Sequence, residues 1–360
     1  VDDLGAPELP RLWWAPRDGQ LAITCLDAAA AIGSTLREFG GAVLASATLT
    51  PIDGFAAACG LGDWGGMEGQ SGPAPEFSPP EKLGRLTKRD TRRLYRQLTS
   101  AAGLLKVEEA RAAARPALLR AHAPWRDATY DLVFDARVDT TFQHRSHHYA
   151  TTAATVAALQ DSAAHATGAT PAGSPSFAPC IAVFFPSYAY AEAIRNELEG
   201  MATGLRVALQ PRLRDLAAQT AWVDDSLLSA GALFLVLGSS FAESIDMLGG
   251  RVTHAMVVGP ALPEVNAVQR ARLAGASRAG LAREVAFRRV YQIPGMTKVN
   301  QALGRLVRAP GQHTRVVLHC RRFLDETYAR LLAPEYRQGA RVTDDAAFSA
   351  WLEKRPDRVA

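Results

Sequence analysis

The sequence predicts an α/β fold: a doubly wound, mostly parallel sheet with helices on both faces. Three observations predict it. Short apolar segments recur along the chain, and each is followed by a turn and then by a helical pattern. Residues 232–237 are apolar throughout, as expected for a strand in the middle of a parallel sheet. The chain has 360 residues, 48% of them hydrophobic and 21% charged, which is enough for such a domain with insertions.

The predicted elements follow one another as strand, turn and helix, and the predicted domain is discontinuous. It comprises residues 1–61 and 122–337, and residues 338–360 form a C-terminal tail. The predicted strands are residues 21–25, 42–51 (an apolar strand that ends in a hydroxyl-rich turn), 128–135, 180–185, 205–209, 232–237, 253–259 and 315–320. The predicted helices are residues 27–39, with Asp27 as N-cap, 55–61, 145–160 and 190–198.

A basic stretch interrupts this pattern. Residues 62–121 are predicted to form a Gly-, Pro- and Ser-rich loop followed by a helical insertion. Residues 85–126 carry eleven Lys and Arg against three acidic residues. Two interpretations are equally compatible with this pattern: a solvated helix face, or a contact surface for the DNA backbone to which Arg92 and Arg96 would belong.

Composition restricts the class of protein. The net charge of +4 permits nucleic-acid binding without requiring it. The four cysteines are far apart and lack the spacing of a zinc site or an iron–sulfur cluster, so we expect reduced thiols in a cytoplasmic protein. No apolar run reaches the ~20 residues that a membrane span needs. No Gly-x-Gly-x-x-Gly turn follows the first two predicted strands, which argues against a dinucleotide-dependent enzyme.

The stretch around which the chain is organised is residues 301–308, Gln-Ala-Leu-Gly-Arg-Leu-Val-Arg. Arg305 and Arg308 are three residues apart, so on a helix they would share one face. A guanidinium is a planar, permanently charged group that suits phosphate oxygens. Gly304 lets the backbone approach a partner closely. The pattern therefore indicates a phosphate-binding helix, and an ordinary basic helix face is the alternative.

Three further segments stand in a fixed order before this one. They are Ser46-Ala-Thr48, Phe185-Pro-Ser187-Tyr188 and the acidic loop from Phe241 through Glu243 to Asp246. Together with residues 301–308 they resemble the second motor domain, a RecA-like domain, of superfamily 2 DNA helicases of the XPD/DinG type. The resemblance covers roughly residues 13–61 and 125–336.

The resemblance implies a role for each segment. Arg305, Arg308 and Gln301 would act on the γ-phosphate of ATP, with Gly304 and Asp246 beside the nucleotide. Ser46, Thr48, Ser187, Tyr188 and Glu243 would couple to or contact single-stranded DNA, and Phe185 and Tyr188 would be candidates for stacking on bases. Asp246 has an equally weighted alternative, which is an ion pair with an arginine of the finger helix.

The same resemblance implies that part of the motor lies elsewhere. A Walker A motif needs Gly-Lys before its hydroxyl residue, and that dipeptide does not occur in this chain. In the family, this motif, the Mg²⁺ ligands and any iron–sulfur cluster belong to the first motor domain. We therefore expect the C-terminal half of a helicase that moves 5′ to 3′, binds single-stranded DNA and lacks ATPase activity alone. The alternative is a free-standing, degenerate half-motor that binds nucleic acid or regulates another protein.

Overall fold

The computed structural model describes residues 9–39, 42–46, 49–61, 124–126, 128–166, 179–201, 203–243 and 248–354, with the backbone only at 242 and 243. These residues fall into two compact units. The first contains residues 9–10, 27–39, 42–44 and 55–61, and the second contains residues 11–26, 45–46, 49–54 and the described residues from 124 onward. The predicted insertion, 62–121, lies outside the described part of the chain.

From residue 130 onward the described strands alternate with helices, except that three helices follow one another before the strand at 314–319. The strands are β1 (Arg11–Trp14), β2 (Ala22–Cys25), β3 (Tyr130–Asp135), β4 (Ile181–Phe185), β5 (Val207–Leu209), β6 (Ala232–Val236), β7 (His254–Val257), β8 (Thr314–His319) and β9 (Ala340–Val342). The helices are α1 (Ala29–Glu38), α2 (Ile52–Ala58), α3 (Tyr149–Ala166), α4 (Tyr188–Gly200), α5 (Leu216–Ser229), α6 (Ser240–Glu243), α7 (Ala267–Arg278), α8 (Arg283–Phe287), α9 (Ile293–Gly304), α10 (Glu326–Ala329) and α11 (Asp345–Glu353).

Seven strands of the second unit form one sheet in the order β5-β6-β4-β7-β8-β3-β9. Every neighbouring pair is parallel, which confirms the predicted α/β class and its parallel sheet. The continuous apolar strand β6 is second from one end, and β7 is central, so its predicted position in the middle is wrong. All of β6 is nevertheless buried, because helices cover both faces wherever a strand has two neighbours.

The core lies in two layers, one on each face of the sheet. Alternate residues of β4 supply them: Phe184 packs in one layer with Leu235 and Leu318, and Phe185 packs in the other. Both phenylalanine side chains are buried. The proposal that Phe185 stacks on a nucleic-acid base is therefore wrong, because its ring faces the interior.

The strand predicted at residues 21–25 exists, but it does not join the large sheet. β2 pairs antiparallel with β1, and Trp14 faces Ala22 across this two-stranded sheet. The Trp14 indole N–H donates a hydrogen bond to the Thr24 hydroxyl at 2.9 Å. This hairpin is therefore a local structure with its own register.

The segment predicted as a strand from residue 42 has no regular structure at residues 42–46, and those residues are exposed. Val43 is 92% exposed. An apolar strand is stable only when its backbone pairs with a neighbour and its side chains are covered. No described strand pairs with residues 42–46, and the expectation of a strand there is wrong for this reason.

In the first unit, α1 packs closely against the turn that ends α2. An added Cβ at Gly33 would lie 2.5 Å from the carbonyl oxygen of Gly60, so the two backbones touch. Gly60 itself has φ of +67°, a conformation that favours glycine. The prediction of Asp27 as N-cap is wrong by one residue, because α1 begins at Ala29 and its N-cap is Ala28, which has no side-chain hydrogen bond. The Asp27 carboxylate instead accepts the N–H of Ala29, the first residue of α1, at 2.9 Å.

The segment predicted as a C-terminal tail contributes to the sheet in its described part. β9 pairs with β3, and α11 follows it. Arg315 holds α11 in place: its guanidinium donates to the carbonyls of Trp351 and Leu352 and lies 4.1 Å from the Trp351 ring. The same guanidinium pairs with Asp131 at 2.9 Å. The prediction of a tail is therefore wrong for β9 and α11. β9 is a strand of the sheet, and a buried arginine donates to the last carbonyl groups of α11.

Candidate functional site

The carboxyl edge of the parallel sheet places several of the predicted residues. Ser187 follows β4 and is the N-cap of α4, since its hydroxyl accepts the N–H of Tyr190 at 3.3 Å. The cap uses the hydroxyl oxygen and leaves the hydroxyl proton for another acceptor. The amide groups of the first turn of α4 are directed to this edge and favour an anion there.

Tyr188 is held by a buried glutamine from the next strand. Gln210, directly after β5, donates from Nε2 to the Tyr188 hydroxyl at 2.7 Å. Its Oε1 accepts the N–H of Val236 at 2.8 Å and the hydroxyl of Ser239 at 3.1 Å. The backbone N–H of Val236 can only donate a hydrogen bond, so the glutamine atom that faces it must be the oxygen. The side-chain nitrogen of Gln210 therefore faces Tyr188. The guanidinium of Arg212 lies 4.4 Å from the centroid of the Tyr188 ring.

The turn after β6 is packed against a lysine of α9. Gly238 has φ of +80°, and an added Cβ would lie 2.7 Å from Nζ of Lys298. A side chain at this position would both strain the backbone and displace the lysine. Lys298 is half-buried, and the end of its side chain lies over Gly238.

At the same edge, Arg321 and Arg322 follow β8 and contact the loop after β3. Arg321 pairs with Asp139 at 2.5 Å, and Arg322 donates to the Thr140 hydroxyl at 3.2 Å. The Asp139 carboxylate also accepts the N–H of the residue two positions on, at 3.0 Å. Burial raises the pKa of Asp139, but these hydrogen bonds and the arginine charges outweigh it and lower the pKa.

Arg305 and Arg308 lie at the opposite edge of the sheet, where the parallel strands have their amino ends. Gln301 and Gly304 occupy the last turn of α9, and residues 305–308 lead into the amino end of β8. The Tyr130 hydroxyl, at the start of β3, donates to the carbonyl of Leu303 at 2.9 Å, which ties the end of α9 to this edge. The expectation that both arginines share a helix face is wrong, because the helix ends at the glycine before Arg305.

Arg308 is positioned by a glycine turn and a glutamine. Gly249 and Gly250 lead into the amino end of β7, beside residues 305–308. An added Cβ at Gly249 would lie 2.7 Å from Cγ of Arg308, so the arginine stem crosses the glycine. Oε1 of Gln312 accepts the N–H groups of Arg308 at 2.7 Å and Ala309 at 3.2 Å. The backbone of this turn is therefore fixed by a side chain.

A buried charged network joins β3, β8 and α3, and no sequence pattern predicts it. Asp135 accepts two hydrogen bonds from the Arg137 guanidinium, at 2.9 and 2.7 Å. Nδ1 of His319 lies 2.6 Å from the same carboxylate, and its Nε2 lies 3.0 Å from the Thr152 hydroxyl. This is the arrangement of a hydrolase triad, but Asp135 and His319 are 0% exposed, so no substrate reaches it.

The protonation of this network follows from burial. Burial lowers the pKa of His319, and the hydrogen bond that it donates to Asp135 only partly offsets this, so the imidazole is neutral near pH 7. Burial raises the pKa of Asp135, but the hydrogen bonds from His319 and Arg137 and the charge of Arg137 outweigh it and hold the pKa well below its usual range. The carboxylate is therefore ionised and paired with a buried arginine.

The remaining predicted residues are less well placed. Ser46 lies in the exposed irregular segment, and Glu243 is the last residue of α6. Four others lie outside the described residues: Thr48, Asp246, Arg92 and Arg96. Their roles stay predictions.

Two searches of the described residues found nothing. No group of three or more His, Cys, Asp or Glu side chains there lies close enough together to hold a metal ion. Nor does that part of the chain contain a helix of the length and apolarity that crossing a membrane requires.

Residues 178–339 match the sequence family described as the helicase C-terminal domain. This range runs from just before β4 to just before β9. It contains Ser187, Tyr188, Gly238 and the stretch 301–308. A search of curated proteins found no match to the chain.

Among solved structures, parts of helicases are similar to the chain. An XPD helicase matches 59% of this chain and 35% of its own, at 15% identity and a TM-score of 0.45. Xpd4 of S. tokodaii matches 59% and 38%, at 13% identity and a TM-score of 0.41. The C-terminal domain of the DEAD-box protein Dbp5 matches 63% and 97%, at 14% identity and a TM-score of 0.35. The chain thus spans well under half of the length of these XPD chains.

Proposed function

We propose, from the match of residues 178–339 to the helicase C-terminal domain family, that the chain is the C-terminal half of an ATP-dependent DNA helicase. It supplies arginines to ATP and part of the track for single-stranded DNA, with 5′ to 3′ movement. The observation that carries the proposal is the separation of the predicted residues onto two edges of one sheet. Ser187 and Tyr188 lie at the carboxyl edge, and Arg305 and Arg308 lie at the amino edge. Such a separation permits both ligands to be bound at once.

The carboxyl edge has the chemistry that a single strand requires. The Ser187 hydroxyl can donate to a phosphate oxygen at the N-terminus of α4, where the helix dipole favours negative charge. The Tyr188 ring is fixed by Gln210 and Arg212, so little side-chain entropy is lost when a base stacks on it. Stacking on aromatic side chains contributes ~1–3 kcal/mol per base and tolerates any sequence.

The amino edge would serve the nucleotide. Arg305 and Arg308 carry permanent charge and would stabilise the charge that develops on the γ-phosphate, an effect of up to ~10³–10⁵ in rate where an arginine finger is supplied. Gln301 would orient a phosphate or the attacking water. The acidic loop would link closure of the cleft to the strand through Glu243 and Asp246, or Asp246 would pair with one of the arginines.

The proposal requires a partner, the first motor domain of the same protein. That domain would provide the phosphate-binding loop, the Mg²⁺ ligands and any iron–sulfur cluster, and the complete protein would work in the cytoplasm. The exposed apolar segment 42–46 supports the need for a partner, because Val43 leaves almost its whole side chain in water. We propose that this segment becomes covered when the motor domain is present.

The test uses the intact helicase that contains this chain and substitutes residues of one edge of the sheet at a time. Arg305→Ala and Arg308→Ala should abolish ATP turnover and leave the affinity for single-stranded DNA unchanged. Tyr188→Ala should weaken DNA binding and leave turnover at saturating DNA nearly intact. An intact natural protein that binds single-stranded DNA but never hydrolyses ATP would instead favour the free-standing half-motor.

A further inference from the structure

The loop after β3 presents an aromatic ring to solvent on a rigid support. Phe142 is 80% exposed. The guanidinium of Arg145 lies 4.8 Å from the Phe142 centroid and 5.1 Å from the centroid of Tyr190. Tyr190 is 0% exposed and packs against Tyr149 and Phe185 at centroid distances of 5.3 and 5.8 Å. The exposed ring is thus the outer member of a stack whose inner member is anchored in the core.

This stack lies beside the residues assigned to the single strand. Tyr190 belongs to the first turn of α4, and its backbone N–H donates to the capping hydroxyl of Ser187. Phe142 follows the carboxyl end of β3, so it lies at the same edge of the sheet as Ser187 and Tyr188. A strand that passes over the N-terminus of α4 therefore approaches Phe142.

The charge of the loop suits a polyanion. Between residues 138 and 150 the side chains include Arg145 and three histidines but only one acidic group, Asp139. That carboxylate is already paired with Arg321. The Arg321 side chain remains 63% exposed, so its guanidinium also faces solvent. An exposed aromatic ring in a cationic setting is the combination that proteins use to bind unpaired bases and their phosphates.

We propose that Phe142 is a base-stacking platform for single-stranded nucleic acid, with Arg145 holding its ring and contacting the adjoining phosphate. The inference rests on the proposed function and extends it, since no motif of the sequence includes either residue. Its ligand is an unpaired nucleobase. The platform extends the binding surface from the turn after β4 to the turn after β3, which are three strands apart in the sheet.

The test is the binding of fluorescently labelled oligo-dT to this chain, followed by anisotropy. Phe142→Ala should weaken binding about 5- to 150-fold, and Phe142→Trp should retain it, because the indole also stacks. The slope of affinity against salt should be the same for Phe142→Ala and the original chain, since no phosphate contact is removed. The matched control is Val265→Ala, which truncates another exposed apolar side chain (68% exposed) and should have no effect.

A second oligonucleotide separates stacking from other contacts. Abasic sites placed along the oligo-dT should weaken binding to the original chain but should have little further effect on Phe142→Ala. If the original chain does not bind oligo-dT, the proposed function itself fails. If the chain binds but Phe142→Ala binds equally well, the platform is wrong and the proposed function stands. Equal sensitivity of both proteins to abasic sites would also overturn the platform.

Discussion

The buried imidazole of His254 should make the stability of the protein depend on pH in a defined window. The residue is 2% exposed at the amino end of β7, and its Nδ1 lies 3.0 Å from the Thr253 hydroxyl. Burial, assisted by the charge of Arg315, lowers its pKa from 6.5 to about 4. The folded protein therefore holds this imidazole neutral at pH values at which the unfolded chain protonates it.

The sign and size of the effect follow from linkage. Between pH 6.5 and about 4 the unfolded chain binds a proton that the folded chain does not, so stability rises with pH in this window and is lost on acidification. A difference of roughly 2.5 pKa units corresponds to about 3 kcal/mol at ~1.36 kcal/mol per unit. His319, whose pKa is also lowered by burial, adds to the same slope.

His254→Gln isolates the contribution of this residue. Urea unfolding, followed by tryptophan fluorescence between about pH 7 and about pH 4, gives the free energy of unfolding of each protein. The variant should lose about 3 kcal/mol less on acidification than the original chain, and the slope from His319 cancels in the comparison. His313→Gln, an exposed histidine at the same edge, is the control. Equal losses in His254→Gln and the original chain would refute the reasoning.

Two further substitutions test the buried pair of Asp135 and Arg137 and the turn that positions Arg308. Asp135→Asn should destabilise the fold by about 3–5 kcal/mol, because the buried Arg137 then keeps only the exposed Asp345 as a carboxylate partner; urea unfolding near pH 7 measures this, and a loss below about 1 kcal/mol would contradict it. Gly249→Ala places a Cβ 2.7 Å from Cγ of Arg308. Displacement of that arginine should lower ATP turnover of the intact helicase by roughly 10²-fold with DNA affinity unchanged, and unaltered turnover would count against its role.

The sequence located the central strands well because their signal is local. Residues 180–185 and 232–237 are short apolar runs, and residues 315–320 contain the apolar run 316–318. The strands β4, β6 and β8 fall within one residue of these bounds. Burial on both faces of a parallel sheet imposes such runs whatever the neighbours are. The order of the strands carries no such local signal, so the position of β6 was mispredicted.

The elements that were missed depend on contacts between distant parts of the chain. β9 has only three residues and an exposed pattern, and α11 is held by Arg315, about 36 residues before it. Asp135 and His319 are separated by 184 residues. Residues 42–46 are the opposite case, a predicted strand that is not observed. Their apolar pattern predicts a strand, but a strand also needs a neighbour to pair with, and the described residues do not provide one.

The candidate site was predicted by residue type better than by geometry. Ser187 and Tyr188 do lie in a strand-end turn, but their hydrogen bonds to the first turn of α4 and to Gln210 required the fold. The helix-face argument for Arg305 and Arg308 assumed that α9 continues past Gly304. A glycine lowers helix stability by roughly 1 kcal/mol relative to alanine, and here the helix ends at it.

The central claim is that the two edges of the sheet serve two ligands. The most direct measurement compares ATP turnover and single-stranded DNA affinity in the intact helicase for Arg308→Ala and for Tyr188→Ala. The account predicts opposite losses: turnover falls by roughly 10³-fold or more in the arginine variant with affinity retained, and affinity falls by roughly 5-fold or more in the tyrosine variant with turnover retained at saturating DNA. Parallel losses of both activities in both variants, with the fold intact, would contradict it.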